Sequence, residues 1–273
     1  MKKSSLHSLI TVTASLFGVL VAVTANPLSL GPNGTQRELF IDGHMIEKMT
    51  GDVRQQLQLP EPKEVVLTTD APWEGNTCAY YTIFRDGDLF RMYYRGSHWD
   101  TATKKATHRE VTCYAESRDG VNWVKPKLGL FEFNGLKDNN IVLDGLGTHC
   151  FVAFKDENPN ARPEARYRGV SRGWPLGKTG LYIYESPDGI RWKMTQSEPV
   201  ITQGEFDSQN LAFWDARIGK YREYHRIFVD GIRAIMTATS DDFVQWFLAH
   251  NYNLSLIHIS EPTRPLYMSY AVF

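Results

Sequence analysis

Two hydrophobic patterns run along this 273-residue chain. The first is one unbroken apolar run, LITVTASLFGVLVAV, close to the N-terminus. The second fills most of the remainder and consists of short segments rich in aromatic and β-branched residues, punctuated by turn residues. AYYTIFRDGDLFRMYYRG (residues 79–96) reads as strand, Asp-Gly turn, strand, because glycine takes a positive φ at little cost and suits a tight hairpin. LYIYES and RAIMTATS read as further strands. No long helical period competes with this pattern.

The strands recur with two landmarks. One is a turn: SRDGVNW (Ser117 to Trp123), SPDGIRW (Ser186 to Trp192) and SDDFVQW (Ser240 to Trp246). The other is a hexapeptide upstream of each turn: FRMYYR (Phe90 to Arg95), YRGVSR (Tyr167 to Arg172) and YREYHR (Tyr221 to Arg226). From the first arginine of each hexapeptide to the next tryptophan the distances are 32, 24 and 24 residues. A strand-rich unit recurring every 54 to 77 residues predicts propeller blades of about four strands each. In each turn the serine and aspartate are placed to bond local amides. The tryptophan opens the next strand, where its ring can seal one blade against its neighbour.

With these turns, and with FRDGDLFRMYYRG and FDSQNLAFWD, the stretch from about residue 65 to 246 resembles the five-bladed β-propeller superfamily of glycoside hydrolases. That superfamily holds the invertase and levanase group (family 32) and the arabinanase and xylosidase group (family 43). The resemblance extends to secreted members of the kind found in planctomycete-like bacteria. It implies an all-β, five-bladed β-propeller of which about three blades are present, and a carbohydrate substrate.

Composition narrows the alternatives. The chain is 42% hydrophobic and 12% aromatic, as a globular protein is. Thirty basic and 31 acidic residues leave a net charge of −1 with no basic stripe, so the electrostatic footprint of a nucleic-acid binder is missing. Cys78, Cys113 and Cys150 permit one disulfide or three small buried side chains. There is no CxxC, and the eight histidines lack metal-ligand spacing, so neither a metal nor another cofactor is expected. GWPLGKT (residues 173–179) has three residues between its glycines where a phosphate-binding loop has four.

The two ends carry their own expectations. Lys2 and Lys3, the apolar run, and Val23 and Ala25 before Asn26 form a secretory signal over residues 1–25. A membrane anchor is the alternative, but a run of 15 apolar residues falls short of the roughly 20 that span a bilayer. The mature protein is therefore expected to be secreted or periplasmic and free of the membrane. Residues 26–60 read as a lead-in and residues 61–253 as blades one to three. LSLIHISEPTR, which opens the last segment (residues 254–273), matches a translated sequencing-library adapter, so that segment is set apart from the fold and the chain is read as a fragment.

The superfamily places catalytic carboxylates where the innermost strand of each blade begins, around a central funnel. Counting back from the first arginine of each hexapeptide, Glu74 lies 17 residues upstream, His149 lies 19 and Asp207 lies 15. The resemblance thus points to Glu74 and Asp207 as the catalytic pair, with Asp70 the alternative to Glu74. A separation of about 6.5–9.5 Å would leave room for an attacking water and favour inversion. Trp73, Asn76, His149, Gln209 and Arg95 form the expected sugar-contacting set. The first-blade aspartate motif of the superfamily is absent, and its glutamate acid has only Glu205 and Glu223 as counterparts. Arg95 shares a strand face with Arg91, and Arg226 with Arg222, which suits either a substrate clamp or inter-blade salt bridges. The functional reading is a secreted glycoside hydrolase. Its rival is a non-catalytic carbohydrate-binding or interaction propeller.

Overall fold

A computed structural model describes residues 46–54, 56 and 59–248. The expected signal segment and the adapter-like tail lie outside the described residues. The chain divides between residues 58 and 59; in the first unit, residues 46–54 form bends without a regular element. The second unit holds every strand described below.

β1 (Ala79–Asp86) and β2 (Leu89–Gly96) form a hairpin. A small ribbon, β3 (Trp99–Asp100) with β4 (Lys105–Ala106), leads on to β5 (Val111–Ser117) and β6 (Trp123–Val124). β7 (Ile141–Asp144) pairs with the first half of β5. A second sheet contains β8 (Val152–Lys155), β9 (Tyr167–Arg172), β10 (Leu181–Ser186) and β11 (Lys193–Met194). A third contains β12 (Leu211–Asp215), β13 (Lys220–Val229), β14 (Ile232–Ser240) and β15 (Phe247–Leu248). Each of these three sheets is an antiparallel meander with a main path of four strands: β1-β2-β5-β6 in the first, where β7 is a fifth strand on β5, β8 to β11 in the second and β12 to β15 in the third. β1 lies beside β8, and β8 beside β12, so the first strand of each sheet faces a common axis. This is the arrangement of propeller blades.

Insertions explain the uneven spacing of the repeat. The β3–β4 ribbon lengthens the path from β2 to β5, and the segment carrying β7 separates the first two sheets. The Asp-Gly hairpin forms as expected: Asp86 pairs with Leu89, and Gly87 turns the chain at φ 63°.

The repeated S-x-D turns are wider loops than two-residue hairpins, and one hydrogen-bond pattern occurs in all three. In the first, Ser117 Oγ accepts from the Gly120 amide at 2.9 Å. Asp119 Oδ1 accepts from the amides of Val121 and Asn122 at 2.9 and 2.7 Å. Trp123 then donates its indole N–H to the Gly120 carbonyl at 3.0 Å. Ser186, Asp188 and Trp192 repeat this, as do Ser240, Asp242 and Trp246. The residue after the aspartate needs a positive φ; Gly120 and Gly189 adopt it freely, whereas Phe243 holds φ 69° while fully buried.

The sheets interlock through the same hexapeptides. The first arginine of each is neutralised within its own sheet: Arg91 by Asp86 at 2.7 Å, Arg168 by Asp156 at 2.7 Å and Arg222 by Asp215 at 2.9 Å. The tyrosine that opens the next hexapeptide reaches back to the same carboxylate, Tyr167 to Asp86 at 2.6 Å and Tyr221 to Asp156 at 2.7 Å. Around these bonds lie two inter-sheet cores. Tyr93 and Tyr114 pack with Phe151, Tyr182, Tyr184 and Trp192; Phe154 and Ile183 pack with Tyr221, Phe243 and Trp246. Trp192 and Trp246 therefore sit at sheet boundaries, whereas Trp123 packs in a core of the first sheet with Met92, Tyr94 and Phe133. The three cysteines are free thiols, and Cys113 and Cys150 are buried.

Candidate functional site

Side chains from all three sheets meet where β1, β8 and β12 begin. Tyr80 sits at a bulge in β1 with φ 58°, and its hydroxyl donates to the Asp207 carbonyl at 3.1 Å. Its ring centroid lies 5.4 Å from that of His149 and 5.0 Å from the Arg95 guanidinium. Arg95, near the end of β2, donates to the Thr77 carbonyl at 2.9 Å and stands 3.4 Å from Glu110. His149 Nδ1 is 2.9 Å from Glu110 Oε2. Asp207 forms an ion pair with Arg226, the closing arginine of the third hexapeptide. Gln209 donates to the Tyr81 carbonyl at 3.2 Å and the Thr82 hydroxyl at 3.0 Å, tying the entry loop of the third sheet to β1.

Charge is unevenly exposed here. The side chains of Arg95 and Arg226 are 13% and 17% exposed, whereas those of Glu110 and Asp207 are 30% and 54% exposed. The cations are enclosed and the anions face water. Burial by itself raises the Glu110 carboxyl, but the hydrogen bond and charge of His149, with Arg95 and Arg172, outweigh it and hold Glu110 below its ordinary value. Two clefts open at this end. One, of about 410 Å³, is lined by Glu110, Asp144, His149, Arg172 and Trp174. The other, of about 310 Å³, is lined by Arg172, Trp174, Glu205, Phe206 and Asp207.

The structure brings together Asp207, His149, Arg95 and Gln209. It does not bring Glu74 to them. Glu74 is 1% exposed, accepts from the Tyr94 hydroxyl at 2.5 Å and the Ala71 amide at 3.0 Å, and pairs with Lys125 at 2.7 Å. Both oxygens are engaged, and Tyr94 belongs to a core on the face of the first sheet opposite Arg91 and Arg95. The expected pairing of Glu74 with Asp207 thus has no contact to support it here: Glu74 is held in an internal ion pair, beside a separate surface depression of about 340 Å³ that Asp70 also lines. Trp73 packs in the same core and donates to Asn140 at 2.7 Å. Asn76 is exposed and holds the β3–β4 ribbon through both backbone groups of Trp99, at 3.0 and 2.9 Å. Glu223 is buried against His225 at 2.7 Å inside the third sheet. Among the described residues no group of three or more His, Cys, Asp or Glu side chains is placed to hold a metal ion.

Sequence reasoning missed Glu110, Tyr80 and Arg172. Glu110 follows the β3–β4 insertion, outside any repeated landmark. The other two carried a readable signal: Tyr80 is an aromatic at a strand start, and Arg172 closes its hexapeptide as Arg95 and Arg226 close theirs.

No family model matches the chain. Two curated proteins of Mycobacterium tuberculosis, from strain CDC 1551 / Oshkosh and strain ATCC 25618 / H37Rv, are 31% identical to it over 121 residues, and both are uncharacterised. The match takes in 42% of this chain and 33% of each relative, so the chain spans about a third of the length of the curated relatives it matches. Among solved structures it is similar to a family 117 glycoside hydrolase of the marine bacterium Zobellia galactanivorans, with a TM-score of 0.48 and 12% identity over 68% of this chain and 50% of that one. A variant fructofuranosidase of Schwanniomyces occidentalis gives a TM-score of 0.44 and 14% identity, covering 65% of this chain and 34% of that one. For fructan 1-exohydrolase IIa of Cichorium intybus the values are 0.45 and 13%, over 67% and 33%. These are likenesses of strand arrangement.

Proposed function

We propose that this protein is a secreted or periplasmic glycoside hydrolase of the propeller type, acting on an oligo- or polysaccharide where its three sheets meet. The observation that carries the reading is the convergence there of two carboxylates from different sheets, Glu110 and Asp207, with His149, Tyr80 and the arginines between them. Glycoside hydrolysis needs one group to protonate the leaving oxygen and one to act as base or nucleophile. Glu110, held ionised, suits the second role. Asp207, half exposed on the third sheet, is assigned the first. The turn repeat and its resemblance to propeller glycoside hydrolases support the same reading.

One observation favours a second reading. Each of the two carboxylates already has an arginine partner, as expected of a propeller that binds carbohydrate without cleaving it. Product analysis after incubation with a panel of plant and algal polysaccharides separates the two. Reducing ends released by the wild-type protein, and lost in Asp207→Asn, support hydrolysis. Binding without any release supports the rival.

A further inference from the structure

The three hexapeptides present two tiers of arginine. The inner tier, Arg91, Arg168 and Arg222, is neutralised by Asp86, Asp156 and Asp215. In the outer tier Arg95 has Glu110 and Arg226 has Asp207. Arg172 breaks the pattern. It is 8% exposed, its Nε is enclosed without an acceptor, and among the described residues its side chain makes no hydrogen bond or ion pair. A guanidinium stays charged and offers five N–H donors, so enclosing one without a counter-ion is costly.

Its surroundings suit a ligand that would supply the missing anion. Arg172 lines both clefts, and the Trp174 ring centroid lies 5.2 Å from its guanidinium carbon while the residue is 58% exposed. The loop carrying Trp174 is fixed at its base, with the Gly173 amide bonded to the Gly180 carbonyl at 3.0 Å and the Gly177 amide to the Gly173 carbonyl at 2.7 Å. Of the nearby carboxylates, Glu110 feels the Arg172 charge but spends its direct contacts on His149 and Arg95, and Glu205 and Asp207 belong to exposed residues screened by water, so none directly neutralises the enclosed guanidinium. A flat exposed indole beside an unpaired guanidinium matches a sugar ring bearing an exocyclic oxyanion. The ring stacks on the indole, and two coplanar oxygens take the N–H fork.

We propose that the cleft between the second and third sheets binds a saccharide with an anionic substituent, the carboxylate of a uronic acid or a sulfate ester. Arg172 is the anion-binding residue and Trp174 the stacking platform. This rests on the carbohydrate reading above and names its substrate class.

The test is calorimetric binding of an oligogalacturonide, a sulfated oligogalactan and a neutral oligogalactan of equal length to the wild-type protein, Arg172→Gln, Arg172→Lys and Trp174→Ala. Thermal melts of the four proteins separate lost binding from lost fold. A charged oligosaccharide is expected to bind at least about tenfold tighter than the neutral one, as a charge-assisted fork should provide. Arg172→Gln should abolish that preference, Arg172→Lys should keep part of it, and Trp174→Ala should weaken charged and neutral ligands alike. Which charged oligosaccharide binds tighter identifies the oxyanion. Equal binding of charged and neutral ligands by the wild type overturns the inference and leaves hydrolysis standing, as does a preference that survives Arg172→Gln. Arg172-dependent binding of charged ligands without cleavage supports the inference and removes hydrolysis. Binding of no saccharide overturns both.

Discussion

Lys125→Met is the substitution that most sharply separates a structural Glu74 from a catalytic one. It removes the ammonium 2.7 Å from a carboxylate whose side chain is fully enclosed, leaving Glu74 with only the Tyr94 hydroxyl and the Ala71 amide. Breaking one side of a buried ion pair costs about 3–5 kcal/mol. The Lys125 side chain is 21% exposed, so water compensates in part and the lower end, about 3 kcal/mol, applies. In a domain of this size each kcal/mol moves the melting midpoint by about 2–4 °C, so a drop of about 6–12 °C is expected. Glu74→Gln can keep its amide oxygen on Lys125 and the Ala71 N–H, which share Oε2, but then turns its N–H₂ onto the Tyr94 hydroxyl, which loses its acceptor; with the ion pair gone as well, the cost should be about 2 kcal/mol. The double variant should lose less than the sum of the singles, because the two sites share one interaction. The assay is thermal unfolding followed by circular dichroism, with oligosaccharide hydrolysis measured in parallel. A Glu74→Gln protein that melts within about 1 °C of wild type yet has lost activity would refute the structural assignment and restore Glu74 to the reaction.

Acid stability should trace Asp86. Burial raises its carboxyl, but hydrogen bonds from Lys155, Tyr167 and Arg91 hold it well below the ordinary value. A depressed folded-state pKa means the stabilisation is complete above about pH 4 and drains as pH falls through the folded value. Asp86→Asn should therefore lower the midpoint at pH 7 by about 2 kcal/mol's worth and flatten the acid limb; an unchanged acid limb contradicts this. Phe243→Gly should relieve a left-handed residue worth about 1 kcal/mol but forfeit a buried phenyl worth about 3–5 kcal/mol, for a net loss of about 2–4 kcal/mol in denaturant unfolding. A gain in stability would mean the strain outweighs the packing.

The strands, their grouping into units of about four and the boundary positions of Trp192 and Trp246 were legible because all rest on local chemistry. Alternating aromatic segments, positive-φ turns and Ser/Asp loop bonds are written within a few residues of one another. The salt bridges of the first arginines were not read from the sequence, because their partners Asp86, Asp156 and Asp215 emerge only once β1, β8 and β12 are paired with their neighbours. The site was less legible for the same physical reason. The role of Glu74 depends on Lys125, 51 residues later, and that of Glu110 on His149, 39 residues later. Counting back from a repeat aligns depth along a strand but not the face on which a side chain emerges. That is how Glu74, at equivalent depth to Asp207, came to lie in a core rather than at the axis.

Hydrolysis by the residues that do converge is the claim on which the rest depends. Its most direct measurement is kcat on the best polysaccharide of the panel for wild type, Glu110→Gln and Asp207→Asn, each with its melting midpoint recorded. The expected result is a fall of at least about a hundredfold in both variants, the usual contribution of a general acid or base, with midpoints within a few degrees of wild type. Two folded variants that cleave as fast as wild type would contradict it.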